Sequence, residues 1–170
     1  MNLFTKIGFA LIIFSLSCNP VIAQRHAPDA ALKVGTYTVS ISSFHGKKVM
    51  LWFFSTWCPS CQAGLKALKK KEGPLKKSGL QIIAVRNYQN GGYPGPSINA
   101  FVKKAAPSLL KAQNWTLAEA TQEVAQKYNS KGYPDIYYLI SPEGKIVNVA
   151  GSPGAHMKKI IDFAGTAVTD

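Results

Sequence analysis

The pattern of apolar and polar positions along the chain predicts strands that alternate with helices. An unbroken apolar run at residues 49–54, and a run at 80–85 with Gln81 as its one polar residue, are typical of strands buried on both faces of a sheet. Further strands are predicted from alternation and turn signals, at residues 36–41, 135–140 and 145–150. Helices are predicted from apolar residues at helical spacing, at residues 58–71, 98–105, 116–128 and 156–164. This succession predicts a mixed α/β sandwich around one central sheet.

The opening segment has the three parts of a secretory signal peptide. A short positive start with Lys6 precedes an apolar run at residues 7–16, and residues 21–23 mark a cleavage site before Gln24. The apolar run is shorter than the about 20 residues that cross a membrane, although an uncleaved N-terminal membrane anchor is an alternative. The sequence therefore predicts an exported protein, in the periplasm or another extracytoplasmic space.

The remaining length leaves room for one domain with a proper core. We expect a signal peptide at residues 1–23, a flexible lead-in at 24–33 and a single domain at 34–170. Because Cys18 lies in the signal segment, the mature chain keeps two cysteines. A domain of this size does not need a disulfide to be stable, which favours a reactive pair over a structural one.

These two cysteines, three residues apart, carry the candidate chemistry. Cys58 follows an apolar run and stands at a predicted helix start, where free backbone N–H groups and the helix dipole stabilise a thiolate. Pro59 suits the first helical position, where an N–H would have no partner. Cys61, one turn further on, can attack a mixed disulfide formed at Cys58. We therefore predict a redox-active disulfide pair, with Cys58 as the nucleophile and Cys61 as the resolving thiol.

Metal ions and cofactors are not expected at this pair. A structural zinc site takes four ligands, and the mature chain has no second pair of cysteines. The three histidines, His26, His45 and His156, are scattered along the sequence. Covalent haem attachment needs a histidine directly after Cys61, where Gln62 stands. The sequence therefore predicts no metal and no cofactor.

The chain is strongly basic, with 20 Lys and Arg residues against 8 Asp and Glu and a net charge of +12. Such a charge raises nucleic acid as a partner, but export argues against it, and we expect no nucleic-acid partner. Four lysines follow the cysteine pair on the same predicted helix: Lys66, Lys69, Lys70 and Lys71. They either supply a positive field that favours the thiolate or form a solubilising surface.

Three sequence elements together resemble the thioredoxin superfamily. They are Trp-Cys-Pro-Ser-Cys at residues 57–61, Gly-Tyr-Pro at 132–134 and the hairpin sequence at 139–147. The resemblance is greatest to the exported TlpA-type thiol–disulfide oxidoreductases and runs from about residue 34 to residue 164. It implies a thioredoxin-like α/β sandwich whose central mixed sheet is flanked by helices. It also implies a strand–helix insertion between the cysteine helix and the strand that follows the proline.

The same resemblance implies an enzyme that exchanges electrons between its cysteine pair and the cysteines of client proteins, with a membrane redox partner. Pro134 is expected to be a cis-proline, and Tyr133 to lend its backbone to the bound substrate cysteine. Trp57, beside the nucleophile, is the third residue expected to contact the substrate. The turn-rich loop at residues 87–97, which carries two tyrosines, is interpreted either as an adaptable contact surface or as a solvated connection.

Two other functions stay open as alternatives. A peroxidase of the peroxiredoxin class would want a Pro-x-x-x-Thr-x-x-Cys arrangement, but Leu51 and Ser55 occupy the corresponding positions. A copper-binding and delivery module would use the two thiolates, because soft ligands suit Cu(I). The sequence offers that alternative neither a Met-rich segment nor a histidine beside the pair.

One departure from the thioredoxin pattern bears on the mechanism. Trp52 stands where thioredoxins have a buried aspartate, and no acidic residue lies between Asp29 and the pair. The group that takes the proton of Cys61 is therefore open, with Glu119 and Asp135 as acids that the fold could bring in. Without a nearby anion, we expect a disulfide more oxidising than that of thioredoxin, about −270 mV. The sequence leaves the direction of exchange, the client and the oligomeric state open.

Overall fold

The computed structural model describes residues 25–165, and a seven-stranded sheet forms their centre. The strands, β1 to β7 in chain order, are Ala31–Val34, Tyr37–Ser40, Val49–Phe54, Gln81–Arg86, Trp115–Glu119, Asp135–Ile140 and Ile146–Ala150. Their order across the sheet is β2-β1-β5-β4-β3-β6-β7. β4 pairs in parallel with β3 and β5, whereas β6 pairs antiparallel with β3 and β7. The predicted mixed central sheet is confirmed.

Helices cover both faces of this sheet. The α-helices of the described residues, α1 to α5, are Pro59–Lys70, Glu72–Lys77, Ile98–Ala105, Gln122–Tyr128 and Met157–Gly165. Short 3₁₀ segments lie at Ile41–Phe44, Tyr88–Gly92 and Pro107–Lys111. Side chains of α1, α3 and α5 pack on one face of the sheet, and those of α4 pack on the other. Between the cysteine helix α1 and strand β6, the chain forms α2, β4, α3, β5 and α4.

The central strand β3 is buried along its whole length, as its unbroken apolar sequence predicts. Its side chains alternate between the two faces, with Trp52 and Phe54 on the side of α1 and Phe53 on the side of α4. Trp52 stacks on Phe54 with ring centroids 4.7 Å apart, and Phe53 stacks on Tyr128 of α4 at 5.7 Å. Packing on both faces fixes the end of β3, from which the chain enters the cysteine pair.

One predicted helix is partly a strand. The sequence predicts a helix at residues 116–128, but Trp115–Glu119 forms β5 and the helix begins only at Gln122. β5 pairs along its length with β4, so its backbone is satisfied by the sheet. The hydroxyl of Thr121 then accepts a hydrogen bond from the Val124 N–H at 3.2 Å and caps α4. Pairing with a distant strand overrides the helical spacing of the apolar residues here.

The segment before the first predicted strand is also better ordered than its sequence indicates. The sequence predicts a flexible lead-in at residues 24–33, but β1 lies partly within it and pairs with β2. Leu32 is fully buried, and the Asp29 carboxylate accepts a hydrogen bond from the Ser42 N–H at 2.9 Å. Pairing with β2 and β5, rather than a local sequence pattern, places this segment at the sheet.

The predicted signal peptide at residues 1–23 lies outside the described residues. Within residues 25–165, no helix is both long enough and apolar enough to cross a membrane. The export prediction therefore rests on the sequence of the leader.

Candidate active site

The turn between β3 and α1 places the first cysteine at a helix start. After β3 ends at Phe54, the N–H of Cys58 donates to the Ser55 carbonyl at 3.1 Å and closes the turn. Cys58 is the N-cap, with φ −81° and ψ 121°, and Pro59 is the first helical residue. The Cys58 carbonyl accepts from the Gln62 N–H at 3.2 Å. The predicted N-cap position of Cys58 is confirmed, so the positive end of the helix dipole lies at this cysteine.

Both cysteines are free thiols with little contact to solvent, since 5% of Cys58 and 0% of Cys61 are exposed. The Cys61 thiol donates to the Pro134 carbonyl at 3.1 Å, and the Cys58 sulfur lies 3.1 Å from the Ser60 hydroxyl. Burial raises the pKa of Cys61 well above its ordinary value, and a hydrogen bond with Cys58 and the charge of Asp135 raise it further. Cys61 therefore stays protonated at neutral pH.

Asp135, the first residue of β6, is the acid that the fold brings to the pair. It lies opposite Phe54 in the antiparallel pairing of β3 and β6. Its carboxylate accepts hydrogen bonds from the Trp52 indole at 2.8 Å, the Ser60 hydroxyl at 2.8 Å and the Ser152 hydroxyl at 3.3 Å. A carboxylate oxygen and the two cysteine sulfurs lie within 4.8 Å of one another. The expectation that no anion stands near the pair was therefore wrong.

Glu119, the other acid left open by the sequence, is engaged elsewhere. Its carboxylate accepts a hydrogen bond from Arg86 at 2.7 Å, and the two residues pair where β4 and β5 end. It does not belong to the group of ligand atoms that surrounds the cysteine pair. Of the two candidate acids, the structure therefore brings only Asp135 to the sulfurs.

Pro134 lies against the redox pair through its carbonyl group. This carbonyl accepts hydrogen bonds from the Ser55 N–H at 2.9 Å and from the Cys61 thiol at 3.1 Å. The expectation of a cis peptide bond before Pro134 is wrong, because residues 25–165 contain no cis peptide bond. The predicted proximity of this proline to the cysteines is nevertheless what the structure shows.

Two buried asparagines, which the sequence analysis missed, hold the backbone before this proline. Asn129 accepts a hydrogen bond from the Tyr133 N–H at 2.9 Å and donates to the Tyr133 carbonyl at 2.8 Å. Asn87 donates to the same carbonyl at 3.2 Å, and the two asparagine side chains bond to each other at 2.9 Å. Both polar groups of the Tyr133 backbone are thus satisfied within the trans arrangement. The Tyr133 ring, by contrast, is exposed.

Trp57 is held by the loop at residues 87–97. Its indole donates to the Asn90 carbonyl at 2.8 Å, and its ring packs against Tyr93 with centroids 4.8 Å apart. The buried Asn90 side chain accepts from the Thr56 N–H at 2.9 Å, which ties the loop to the turn before the cysteines. A methyl group added at Gly95 would meet the Thr56 hydroxyl at 2.5 Å, so the contact is close. The loop therefore forms part of the wall of the site.

The donor atoms at the pair do not complete a closed zinc site. Two sulfurs and one carboxylate oxygen come together, whereas structural zinc takes four ligands. Within residues 25–165, none of the three histidines joins this group, and the ring of His156 instead contacts the Gly151 carbonyl at 2.8 Å. The carboxylate already accepts three hydrogen bonds from protein donors. The arrangement thus suits thiol chemistry better than metal binding.

Three of the four lysines that follow the pair lie at the far end of α1 or just beyond it. All four are exposed and fall in or just beyond the second half of the helix: Lys66, Lys69, Lys70 and Lys71. At about 1.5 Å per residue, the end of α1 is roughly 15 Å from its start. Physiological salt screens exposed charges over about 8 Å. The position of Lys69, Lys70 and Lys71 favours the solubilising interpretation over the stabilisation of a thiolate, whereas Lys66, five residues after Cys61, lies nearer to the pair.

Several known proteins resemble this chain in sequence or in fold. The thiol-disulfide oxidoreductase ResA of Bacillus subtilis is 27% identical over 111 residues, which cover 65% of this chain and 56% of ResA. The chain thus matches about half the length of that relative. The thioredoxin domain of a thiol-disulfide oxidoreductase from Bacteroides vulgatus has a TM-score of 0.58 at 23% identity, over 81% of this chain and 96% of that domain.

A thiol:disulfide interchange protein from Bacteroides sp. has a TM-score of 0.59 at 23% identity, over 85% of this chain and 91% of its own. At this identity the two solved structures establish the fold, which is the thioredoxin-like α/β sandwich. Residues 23–149, more than half of the sequence, match the AhpC/TSA family. The chain therefore belongs to the AhpC/TSA family of thioredoxin-fold proteins.

Proposed function

We propose that this chain is an exported thiol–disulfide oxidoreductase that exchanges electrons between its cysteine pair and the cysteines of client proteins. The observation that carries the proposal is the pair itself, with one free thiol at the start of α1 and the other buried one turn behind it. The names of the similar proteins support the same activity. Cys58 and Cys61 are assigned as the catalytic residues.

The reaction consists of two exchanges. In the reducing direction, the Cys58 thiolate attacks one sulfur of a client disulfide, and the other client sulfur leaves as a thiolate and takes a proton. The Cys61 thiol then loses its proton, attacks the Cys58 sulfur and releases the second client thiol. Two electrons pass to the client, and the pair becomes a disulfide. The oxidising direction retraces the same steps.

Trp57, Tyr133 and Pro134 are assigned to substrate contact. The side chains of Trp57 and Tyr133 are 39% and 47% exposed, which is unusual for large aromatic residues beside a buried pair. Tyr133 is assigned through its ring, since its backbone groups are occupied by asparagines. Aromatic rings supply a large contact area at low entropic cost, which suits the docking of varied client segments.

Export is part of the proposal and rests on the leader at residues 1–23. Outside the cytosol, a dithiol that reduces clients needs renewed electrons, which a membrane redox partner would supply.

Fractionation of cells that express the full chain with a C-terminal tag tests export. We expect a shortened product in the extracytoplasmic fraction, whereas Leu11→Arg, which breaks the apolar run, should leave a full-length product in the cytoplasm. Equal distribution of both proteins would contradict export.

The activity is tested by the reduction of insulin disulfides in the presence of a small thiol. We expect the wild-type protein to accelerate insulin precipitation, and Cys58→Ser to abolish the acceleration. Mass spectrometry after treatment with oxidised glutathione should show a Cys58–Cys61 disulfide. A wild-type protein that neither accelerates the reaction nor forms this disulfide would overturn the proposal.

The same preparation separates the two alternatives. A copper-delivery module would bind Cu(I) tightly in competition with a chelator and would lack insulin-reducing activity. A peroxidase would consume hydrogen peroxide at the expense of the dithiol without any client. We expect insulin reduction without either of these activities.

A further inference from the structure

A hollow of about 380 Å³ opens beside Tyr133, on the face of the sheet that α4 covers. The buried Tyr138 and the half-buried Ile136, both in β6, form its floor. The end of α4 and the residues that lead to Tyr133 form one wall, and Arg25 adds its side chain. Segments that are far apart in the sequence therefore meet at this hollow.

The charged side chains that line the hollow are all cations, namely Arg25, Lys127 and Lys131. Lys127 forms an ion pair with Glu123 at 2.6 Å and donates to the Asp29 carbonyl at 2.7 Å. Arg25 and Lys131 take part in none of the ion pairs found within residues 25–165. The hollow thus presents two positive charges that no acid of the described chain pairs with.

Arg25 is fixed at this hollow by its backbone. Its carbonyl accepts a hydrogen bond from the Ile146 N–H of β7 at 2.9 Å, and the next residue, His26, forms a β-bridge with Lys145. Burial raises the pKa of Tyr138, and the positive charge of Arg25 counteracts part of that rise. The Arg25 charge therefore lies close to the floor of the hollow in the folded chain.

Two acids lie on the segments that border the hollow, and both are engaged elsewhere. The Asp29 carboxylate accepts hydrogen bonds from the Ser42 N–H at 2.9 Å, the Ser42 hydroxyl at 3.0 Å and the Ser40 hydroxyl. Glu123 is occupied by its ion pair with Lys127. Neither acid lines the hollow, which therefore keeps its positive charge.

The hollow adjoins the redox pair through Tyr133. The carbonyl of the next residue, Pro134, lies 3.1 Å from the Cys61 sulfur. Lys131 precedes Pro134 by three residues, which span at most about 11 Å. An extended client segment advances about 3.3 Å per residue. A side chain three or four positions from the reactive cysteine of a client can therefore reach the hollow.

We propose that this hollow binds acidic side chains of the client, three or four residues from its reactive cysteine, through Arg25 and Lys131. Carboxylates complement the two cations in charge, and a guanidinium group can bind a carboxylate with two parallel hydrogen bonds. The positive charge also speeds the approach of acidic segments. This inference rests on the proposed function and adds a substrate class, namely clients with acidic segments around the cysteine.

The test compares peptides that differ only in charge. Each peptide has one cysteine in a mixed disulfide with 2-mercaptoethanol, and the third and fourth positions on both sides are all Glu, all Gln or all Lys. The second-order rate constant for oxidation of the reduced protein is measured by acid quenching and mass spectrometry. We expect the Glu peptide to react roughly fivefold faster than the Gln peptide, the scale of one or two exposed ion pairs, and the Lys peptide to react slowest. The differences should shrink as salt is added.

The double variant Arg25→Gln with Lys131→Gln removes both exposed charges. We expect the ratio of the Glu rate constant to the Gln rate constant to fall to near one, and this ratio cancels any change that affects both peptides. Lys103→Gln with Lys104→Gln is the matched control, because it removes the same charge from the exposed end of α3, a helix on the other face of the sheet. The control should keep the roughly fivefold preference.

The outcomes distinguish this inference from the proposed function. Equal rates with all three peptides would overturn the inference and leave the proposed function standing. A preference that survives the loss of Arg25 and Lys131, or that falls equally in the control, would show that the hollow does not select the client, which also overturns the inference. A wild-type protein that reacts with none of the peptides and does not reduce insulin would overturn the proposed function itself.

Discussion

The indole N–H of Trp52 donates a hydrogen bond of 2.8 Å to the carboxylate of Asp135. Trp52 lies in β3 and is fully buried, whereas Asp135 begins the neighbouring strand β6. Trp52 occupies the position where the resemblance to thioredoxins predicts a buried acid. Its ring does not leave that region apolar, because it binds an acid from the next strand. The site thus has a carboxylate near its sulfurs although β3 has none.

We expect Trp52→Phe to lower the free energy of unfolding by about 2–4 kcal/mol. The substitution removes a hydrogen bond to a charged group, which contributes about 1.5–3 kcal/mol, and leaves a small cavity beside Phe54. Urea unfolding of the oxidised protein measures the change. In an Asp135→Asn background the same substitution should cost about 1 kcal/mol less, because the acceptor is neutral. Equal costs in both backgrounds would show that the charge of the acceptor adds nothing to the strength of this hydrogen bond.

The central strand and the start of the cysteine helix are predictable because the sequence signals for them are local. The unbroken apolar run of β3 indicates burial on both faces, and the structure confirms it. Cys58 followed by Pro59 indicates a helix start, which the structure also confirms. The sequence predicts helix over most of strand β5, because the pairing of β5 with β4 is a distant contact that no local pattern reports.

The hydrogen bonds that hold the site together could not be predicted for the same reason. Asp135 bonds to Ser60, which is 75 positions away, and Asn87 bonds to Asn129, which is 42 positions away. A single polar residue at the edge of a strand or helix is ordinary in any sequence. Its partner is decided only when the sheet assembles and brings distant segments together.

Substitution of each cysteine in turn tests the order of attack. We expect Cys61→Ser to accumulate mixed disulfides with client proteins, because Cys58 can still attack while nothing releases the client. Cys58→Ser should trap none, since Cys61 is fully buried and held by the Pro134 carbonyl. Non-reducing electrophoresis followed by mass spectrometry identifies the adducts. Equal trapping by both variants, or by neither, would contradict the assigned roles.

The packing of Tyr93 on Trp57 predicts a contact surface for large clients. Tyr93 is 61% exposed and its removal opens no cavity, so Tyr93→Ala should change stability by less than about 0.5 kcal/mol. We expect the rate of insulin reduction to fall roughly fivefold while the reaction with oxidised glutathione is unchanged. Tyr37→Ala is the matched control, because Tyr37 is equally exposed but lies on strand β2 at the sheet edge. If the rates with insulin and glutathione fall together, the loop has a purely structural role.

The raised pKa of Cys61 makes the stability of the reduced protein depend on alkaline pH. Burial is the main cause, followed by the hydrogen bond with Cys58 and the charge of Asp135. In the unfolded chain this thiol titrates near its ordinary value of 9.0, whereas in the folded chain it keeps its proton. At pH values below the pKa of the unfolded thiol, the protonated Cys61 makes its full contribution to the free energy of unfolding. Above it the unfolded state binds fewer protons, so the free energy of unfolding falls by up to about 1.4 kcal/mol per pH unit.

We therefore expect the reduced protein to lose stability faster than the oxidised protein as the pH rises above about 9, because Cys61 has no proton to lose in the disulfide. Urea unfolding of both forms across the alkaline range measures the difference. Burial also raises the pKa of Tyr128 and Tyr138, but both tyrosines are present in the two forms and cancel. Cys61→Ser should remove this part of the pH dependence from the reduced protein. The reduced wild-type protein and the reduced Cys61→Ser protein could instead lose stability in parallel as the pH rises. Cys61 would then have the same pKa in the folded and unfolded chains, and its assignment as a buried, protonated resolving thiol would be wrong.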